Sequence, residues 1–314
     1  MELDPPSVSS NPGAPFDPKW VNSLAVSVGE ISKAAHGLST WQGPRETERF
    51  SSLLRVLAAM DLTTLSGDDT SARVKSLCRQ ARCPLPRGLR SRIGISGRPP
   101  RVAAVCVFPA FIPVALAALN GTEVKVATVA AGFPHGLSDL AQRIGEVDAA
   151  RTAGAHEVDV VIRREWALAG KWERLYHEIK ALREAAGPTL FKVILSTGEL
   201  KSLRQVSRAT LTALLAGADF VKTSTGRERV NATLEAGVVM ARTIRLYQQE
   251  SGRTAGLKPA GGIQTEMDGL RWLRLAETEL GPEASDPDRF RIGASSLLGN
   301  VLEALESAAL NQTP

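Results

Sequence analysis

The stretch GADFVKTSTGRERVNAT, residues 217–233, brings a lysine to the end of an apolar run. Asp219, Phe220 and Val221 read as a short buried strand, with Lys222 at its C-terminal end. Thr223, Ser224, Thr225 and Gly226 form the following turn, and Asn231 is positioned to cap a helix. An ammonium buried without a partner is costly. Taken alone, the segment fits a lysine whose stem is buried while its head snorkels into water or pairs with an acid. The rest of the chain decides between that reading and a reactive amine.

Outward from Lys222 the sequence alternates between strand-like and helix-like runs. The strand-like runs are VAAVCVF (102–108), VKVATVA (124–130), EVDVVI (157–162), LFKVILS (190–196), DFVKTS (219–224), AGLKPAGG (255–262) and RFRIGAS (289–295), and an eighth ends at Asp61. Amphipathic helices are expected between them. One spans about 71–82, one follows a Ser138 cap, and one carries Trp172, Leu175, Ile179 and Leu182 and stops at Gly187-Pro188. Eight Val-, Ile- and Ala-rich strands alternating with helices imply a parallel sheet covered by helices, for which a closed (β/α)8 TIM barrel is the economical solution. An open doubly wound sheet is the alternative, but no GxGxxG follows the first strand. Residues 1–19, rich in Pro, Ser, Gly and Asn, are expected to be disordered. Residues 20–314 form the barrel with an N-terminal helical extension, and the Pro/Gly/Arg-rich stretch 83–101 reads as an exposed loop.

Composition narrows the function. Of the 314 residues 43% are hydrophobic, enough for a large core, and only 5% are aromatic, too few for base-stacking platforms. The net charge of +5 suits anionic small molecules as readily as nucleic acid, and the basic residues are scattered apart from Arg87, Arg90, Arg92, Arg98 and Arg101, a patch that reads as a solvated loop. Cys78, Cys83 and Cys106 are odd in number without zinc-type spacing, and His36, His135, His156 and His177 lie far apart. A reduced, cytoplasmic protein without a metal site is therefore expected. The first residues lack the basic start and apolar core of a signal peptide, and no apolar run would span a membrane.

Catalysis in a parallel barrel belongs to the C-terminal strand ends. Asp61, Cys106, Thr128, Asp159, Lys192, Lys222, Lys258 and Ser295 lie at or near those ends and should converge on one mouth. A free lysine, with a pKa of ~10.4, is neutral in about one molecule in 2,500 at pH 7. A second ammonium ~5 Å away adds about 3 kcal/mol of repulsion at an effective dielectric near ~20. That lowers the pKa by roughly two units, and burial lowers it further. The neutral amine can attack a carbonyl to form a Schiff base, an electron sink for breaking a neighbouring C–C bond. An aspartate in reach can move the protons, and no cofactor is required. Glycine- and serine-containing turns after Lys258 (Gly261, Gly262) and in the last strand (Gly293, Ser295, Ser296) form candidate anion cradles.

MDLTTLSGDDT, AAVCVFPAFIP, VATVAAGFPHG, EVDVVI, FVKTSTG with VNAT, KPAGGI and FRIGASSLL occur in this order over roughly residues 60–298. Together they resemble the deoxyribose-phosphate aldolase family of lysine-dependent (class I) aldolases. The resemblance implies that Lys222 forms the Schiff base and that Lys258 depresses its pKa. Asp159 then relays protons with Lys258 and water, and Asp61 belongs to the same polar network. It also implies substrate and phosphate contacts from Gly226, Arg227, Gly261, Gly262, Gly293, Ser295 and Ser296, with Cys106 near the substrate and Lys192 supporting Asp159. The implied reaction is reversible cleavage of 2-deoxy-D-ribose 5-phosphate in deoxyribonucleoside catabolism, and a homodimer is the implied assembly.

Arg227 stands where relatives often carry lysine after STG, and Gln264 where some carry arginine. Arginine keeps the charge as a planar fork rather than a point. Another Schiff-base lyase, acting on a different sugar phosphate or an unphosphorylated aldehyde, stays open, as does a catalytically silent barrel serving as a binding protein.

Overall fold

The computed structural model of the chain describes residues 10–92 and 100–311. Its strands are β1 (Met60–Thr63), β2 (Ala104–Val107), β3 (Lys125–Ala130), β4 (Glu157–Val161), β5 (Leu190–Ile194), β6 (Phe220–Lys222), β7 (Gly256–Lys258) and β8 (Ile292–Ala294). They form one sheet in the order β7-β6-β5-β4-β3-β2-β1-β8, parallel throughout. Bridges at Leu257–Phe290 and Ala260–Gly293 join β7 to β8, so the ladder returns to its start and closes a (β/α)8 barrel. That closure excludes the open sheet. Each expected run contains its strand, but β1 continues past Asp61 to Thr63, which leaves Asp61 well inside the barrel.

The helices begin and end on local signals. Thr70 caps Ser71–Arg82 by accepting from the Arg73 amide, and Ser202 caps Leu203–Leu215 in the same way. Thr265 and Asp268 form a reciprocal capping box at Glu266–Leu280. Two expected caps move. Thr233, not Asn231, accepts from the Ala236 amide to cap Leu234–Ser251, while Asn231 donates to the Glu228 carbonyl. Asp139 rather than Ser138 precedes Leu140–Thr152.

The main apolar core lies between the outer strand faces and the helices. Inside the barrel a second, smaller cluster gathers Leu65, Ala104, Cys106, Ala127 and Val129, with Phe108 and Phe133 packed on it. Strand alternation puts Ala127 and Val129 inward and Thr128 out of step with them. Thr128 therefore leaves the expected convergence, and its hydroxyl donates to the Val107 carbonyl. The Phe220 ring also crosses the interior. A Cβ on Gly256 would lie 2.2 Å from it, so β7 begins with the one residue that has none.

Two expected loops differ. In the stretch 83–101, Leu85 and Leu89 are buried and a short helix spans Arg87–Arg92, while residues 93–99 lie outside the described residues. Of the segment expected to be disordered, residues 1–9 are likewise outside, but residues 10–19 pack against the body of the protein. Asn11 is buried. Its amide donates to Asp219, its side-chain nitrogen donates to the Leu214 and Ala218 carbonyls, and its side-chain oxygen accepts from the Tyr247 hydroxyl.

Candidate active site

Lys222 and Lys258 are register partners at the ends of β6 and β7, so their side chains emerge side by side into the barrel. Asp159 on β4 stands across from them. Its Oδ2 lies 2.7 Å from Lys222 Nζ and 2.7 Å from Lys258 Nζ. The two ammoniums are therefore no farther apart than twice that distance, in keeping with the ~5 Å separation used above. Lys258 also lies 2.5 Å from Asp61 Oδ2. Lys192, the register partner of Asp159, supports that carboxylate from the other side, 3.0 Å from Oδ1.

Two further groups complete the cluster, and the sequence reading missed both. Glu157 accepts from Lys192 at 2.5 Å and from Arg291 at 2.8 Å, and Arg291 donates to Asp61 Oδ1 at 2.7 Å. The signal was present. Glu157 is two residues before Asp159, and Arg291 two before Gly293, so each shares the inward face of its strand. Arg291 also sits over the Phe220 ring, 5.7 Å from its centroid.

Burial opposes charge at Asp61, Glu157, Asp159, Lys192, Lys258 and Arg291, yet their neighbours outweigh it. Burial would raise the carboxyls, but Lys258 and Arg291 hold Asp61, Arg291 and Lys192 hold Glu157, and Lys192 with both other lysines holds Asp159, all below the usual carboxylate range. Burial would lower the cations, but Asp159 and Glu157 raise Lys192, Asp159 and Asp61 raise Lys258, and Glu157 and Asp61 raise Arg291. Cys106, fully buried in the apolar cluster, has its thiol pushed up to about 11 by burial and by Asp159. A thiol at that value is a packed neighbour rather than a nucleophile.

Above the cluster opens a cavity of about 280 Å³, lined by Lys222 and by Gly226, Arg227, Gly261, Gly262, Gln264, Gly293, Ser295 and Ser296 among others. Every expected phosphate contact thus reaches one pocket. Cys106, Asp61, Asp159 and Lys258 do not line it; Lys222 alone of the charged cluster does. Gly261 has a positive φ, and a Cβ there would stand 2.7 Å from Asn231, so the chain can turn tightly at the cavity wall only with glycine. Ser295 and Ser296 lead straight into the helix Leu297–Asn311.

The turn after Lys222, where the resemblance implies contacts from Gly226 and Arg227, forms a further cradle, and it is already filled. The Glu228 carboxylate accepts from the amides of Thr225, Gly226 and Arg227, at 3.0, 3.1 and 3.2 Å, and from the Thr225 hydroxyl at 2.7 Å. The Arg227 guanidinium donates to the Leu65 carbonyl across the cavity wall. The turn after Lys222 is thus held by its own carboxylate, whereas Gly261, Gly262, Ser295 and Ser296 line the same cavity.

Comparison with known proteins places this geometry. Residues 55–301 match the family model described as DeoC/LacD family aldolase. The chain is 43% identical over 291 residues to the deoxyribose-phosphate aldolase of Mus musculus, covering 92% of each. It is 42% identical over 293 residues to that of Homo sapiens, covering 93% of this chain and 92% of the relative. The tetrameric deoxyribose phosphate aldolase from Aeropyrum pernix shares the fold, with a TM-score of 0.63 at 24% identity over 90% of this chain and 99% of that one. Among the described residues no group of acidic, histidine or cysteine side chains could hold a metal ion, and no helix is long and apolar enough to cross a membrane.

Proposed function

The chain belongs to the DeoC/LacD aldolase family, and from that premise we propose that it cleaves 2-deoxy-D-ribose 5-phosphate reversibly through a Schiff base on Lys222. The observation that carries this reading is the shared Asp159 oxygen, which brings two lysines together with only one of them facing the cavity.

The open-chain aldehyde enters with its phosphate toward Gly262 and Ser296. Neutral Lys222 Nζ attacks C1, and with one proton taken up from solvent, which hydrolysis later returns, water leaves to give the protonated imine. The C3 hydroxyl gives its proton to Asp159, directly or through water, with Lys258 as the paired cation. The C2–C3 electrons flow into the iminium, releasing D-glyceraldehyde 3-phosphate and leaving an enamine on Lys222. A proton returned to the enamine carbon and hydrolysis of the imine then release acetaldehyde. Water is taken up where it was lost, and the lysine is regenerated.

Borohydride reduction in the presence of acetaldehyde, followed by peptide mass spectrometry, tests the assignment. A secondary-amine adduct on Lys222, absent without borohydride and in Lys222→Ala, is expected. No adduct on folded protein, or label scattered over surface lysines, would sink it. One observation favours a second reading. Glu228 fills the cradle after β6, which points to a substrate held with less help from its phosphate. Cleavage rates on deoxyribose with and without the 5-phosphate separate the two.

A further inference from the structure

The barrel interior holds an unequal number of charges. Four cations, Lys192, Lys222, Lys258 and Arg291, face three carboxylates, Asp61, Glu157 and Asp159. All seven are buried. An uncompensated charge in such a site is expensive, and loss of one proton from one cation removes it. Arginine cannot supply that proton, so a lysine must. Lys192 contacts Glu157, Asp159 and Asp61 at 2.5, 3.0 and 3.9 Å, and Lys258 contacts Asp61 and Asp159 at 2.5 and 2.7 Å. Among the described carboxylates Lys222 contacts Asp159 alone, and it is the lysine that borders the cavity.

We propose that Arg291 is a positioning residue that makes Lys222, rather than Lys192 or Lys258, the amine that gives up its proton. It does so in two ways. Its permanent charge leaves the cluster one carboxylate short, and its fork occupies Glu157 and one oxygen of Asp61, so neither is free to serve Lys222. The inference rests on the Schiff-base reading and adds to it the group that selects among three buried lysines. The charged and titratable groups around Lys222 are Asp61 on β1, Cys106 on β2, Glu157 and Asp159 on β4, Lys192 on β5, Lys258 on β7 and Arg291 just before β8. Arg227 and Glu228 follow in the turn after β6. Strand β3 brings Ala127 and Val129 to this interior, with Lys125 exposed at its start.

The test is the pH dependence of acetaldehyde trapping on Lys222, read as adduct yield by peptide mass spectrometry. Arg291→Met balances the charges at three against three and should move the midpoint up by about one pH unit or more. Arg291→Lys, which keeps the charge, should return it toward the unaltered chain. Glu157→Gln, nearly isosteric, leaves four cations facing two carboxylates and should move the midpoint down. If Arg291→Met does not fold, Glu157→Gln still decides: a midpoint unmoved or raised overturns the proposal, as does an unmoved or lowered midpoint in Arg291→Met. A role limited to packing would cut yield in both variants without opposite shifts, and that result also overturns it. No Lys222 adduct in the unaltered chain at any pH would overturn the Schiff-base reading itself, whereas an adduct with misdirected shifts overturns only the role of Arg291.

Discussion

Asp159 receives three ammoniums, Lys192 on one oxygen and Lys222 with Lys258 on the other. Asp159→Asn leaves those cations short of their common partner, and removing one member of a buried charged set costs about 3–5 kcal/mol. The urea-unfolding midpoint should fall accordingly, and cleavage should drop by about three orders of magnitude or more, because the variant also loses its proton acceptor. Acid should weaken the fold through the same carboxyls. Folding holds Asp61, Glu157 and Asp159 below their ordinary range, so the unfolded chain takes up protons first as pH falls. Their stabilisation is present at neutral pH and is lost progressively below about pH 5. Unfolding midpoints at pH 7 and pH 4 should converge in Glu157→Gln relative to the unaltered chain. The lysines and aspartates were legible in the sequence because a charge inside an apolar run stands out. Glu157 and Arg291 sit at the edges of such runs, where a charge looks like solvent-facing punctuation, and only the alternation along the finished strand turns them inward.

At the scale of elements, the strands were legible from their Val, Ile and Ala content and from the turns between them. Cap positions shifted because several neighbouring polar residues could each serve. Nothing local distinguishes Asn231 from Thr233 as a cap; the choice falls to Thr233 because Asn231 is committed to the Glu228 carbonyl. The filled cradle after β6 was likewise hidden, since a glutamate after STGR gives no sign that it folds back onto the amides before it. Glu228→Ala should free those amides and remove a nearby negative charge, so inorganic phosphate should inhibit cleavage several-fold more strongly. Unchanged inhibition would show that the cradle plays no part in anion binding. Gly256→Ala forces a methyl into the Phe220 ring and should destabilise by about 1–3 kcal/mol or more. Phe220→Leu in the same chain should recover part of that loss in thermal unfolding.

At the scale of the whole molecule, closure of the barrel was readable from the count and spacing of strands, but the docked N-terminal arm was not. Residues 10–14 look like linker by composition, and their order comes from partners more than 200 residues away, to which local sequence is blind. Asn11→Ala would leave two carbonyls and the Tyr247 hydroxyl without their bonds, a cost of about 2–4 kcal/mol that urea unfolding would register. The arm also imposes an order on biosynthesis. Asn11 is made early, whereas Leu214, Ala218 and Tyr247 follow 203, 207 and 236 residues later. Asn11 and its neighbours must therefore wait, undocked, until the chain through Ala218 has left the ribosome. Docking of residues 10–14 is a late latch, and a nascent chain halted before Ala218 should leave them open to a protease that the finished protein resists.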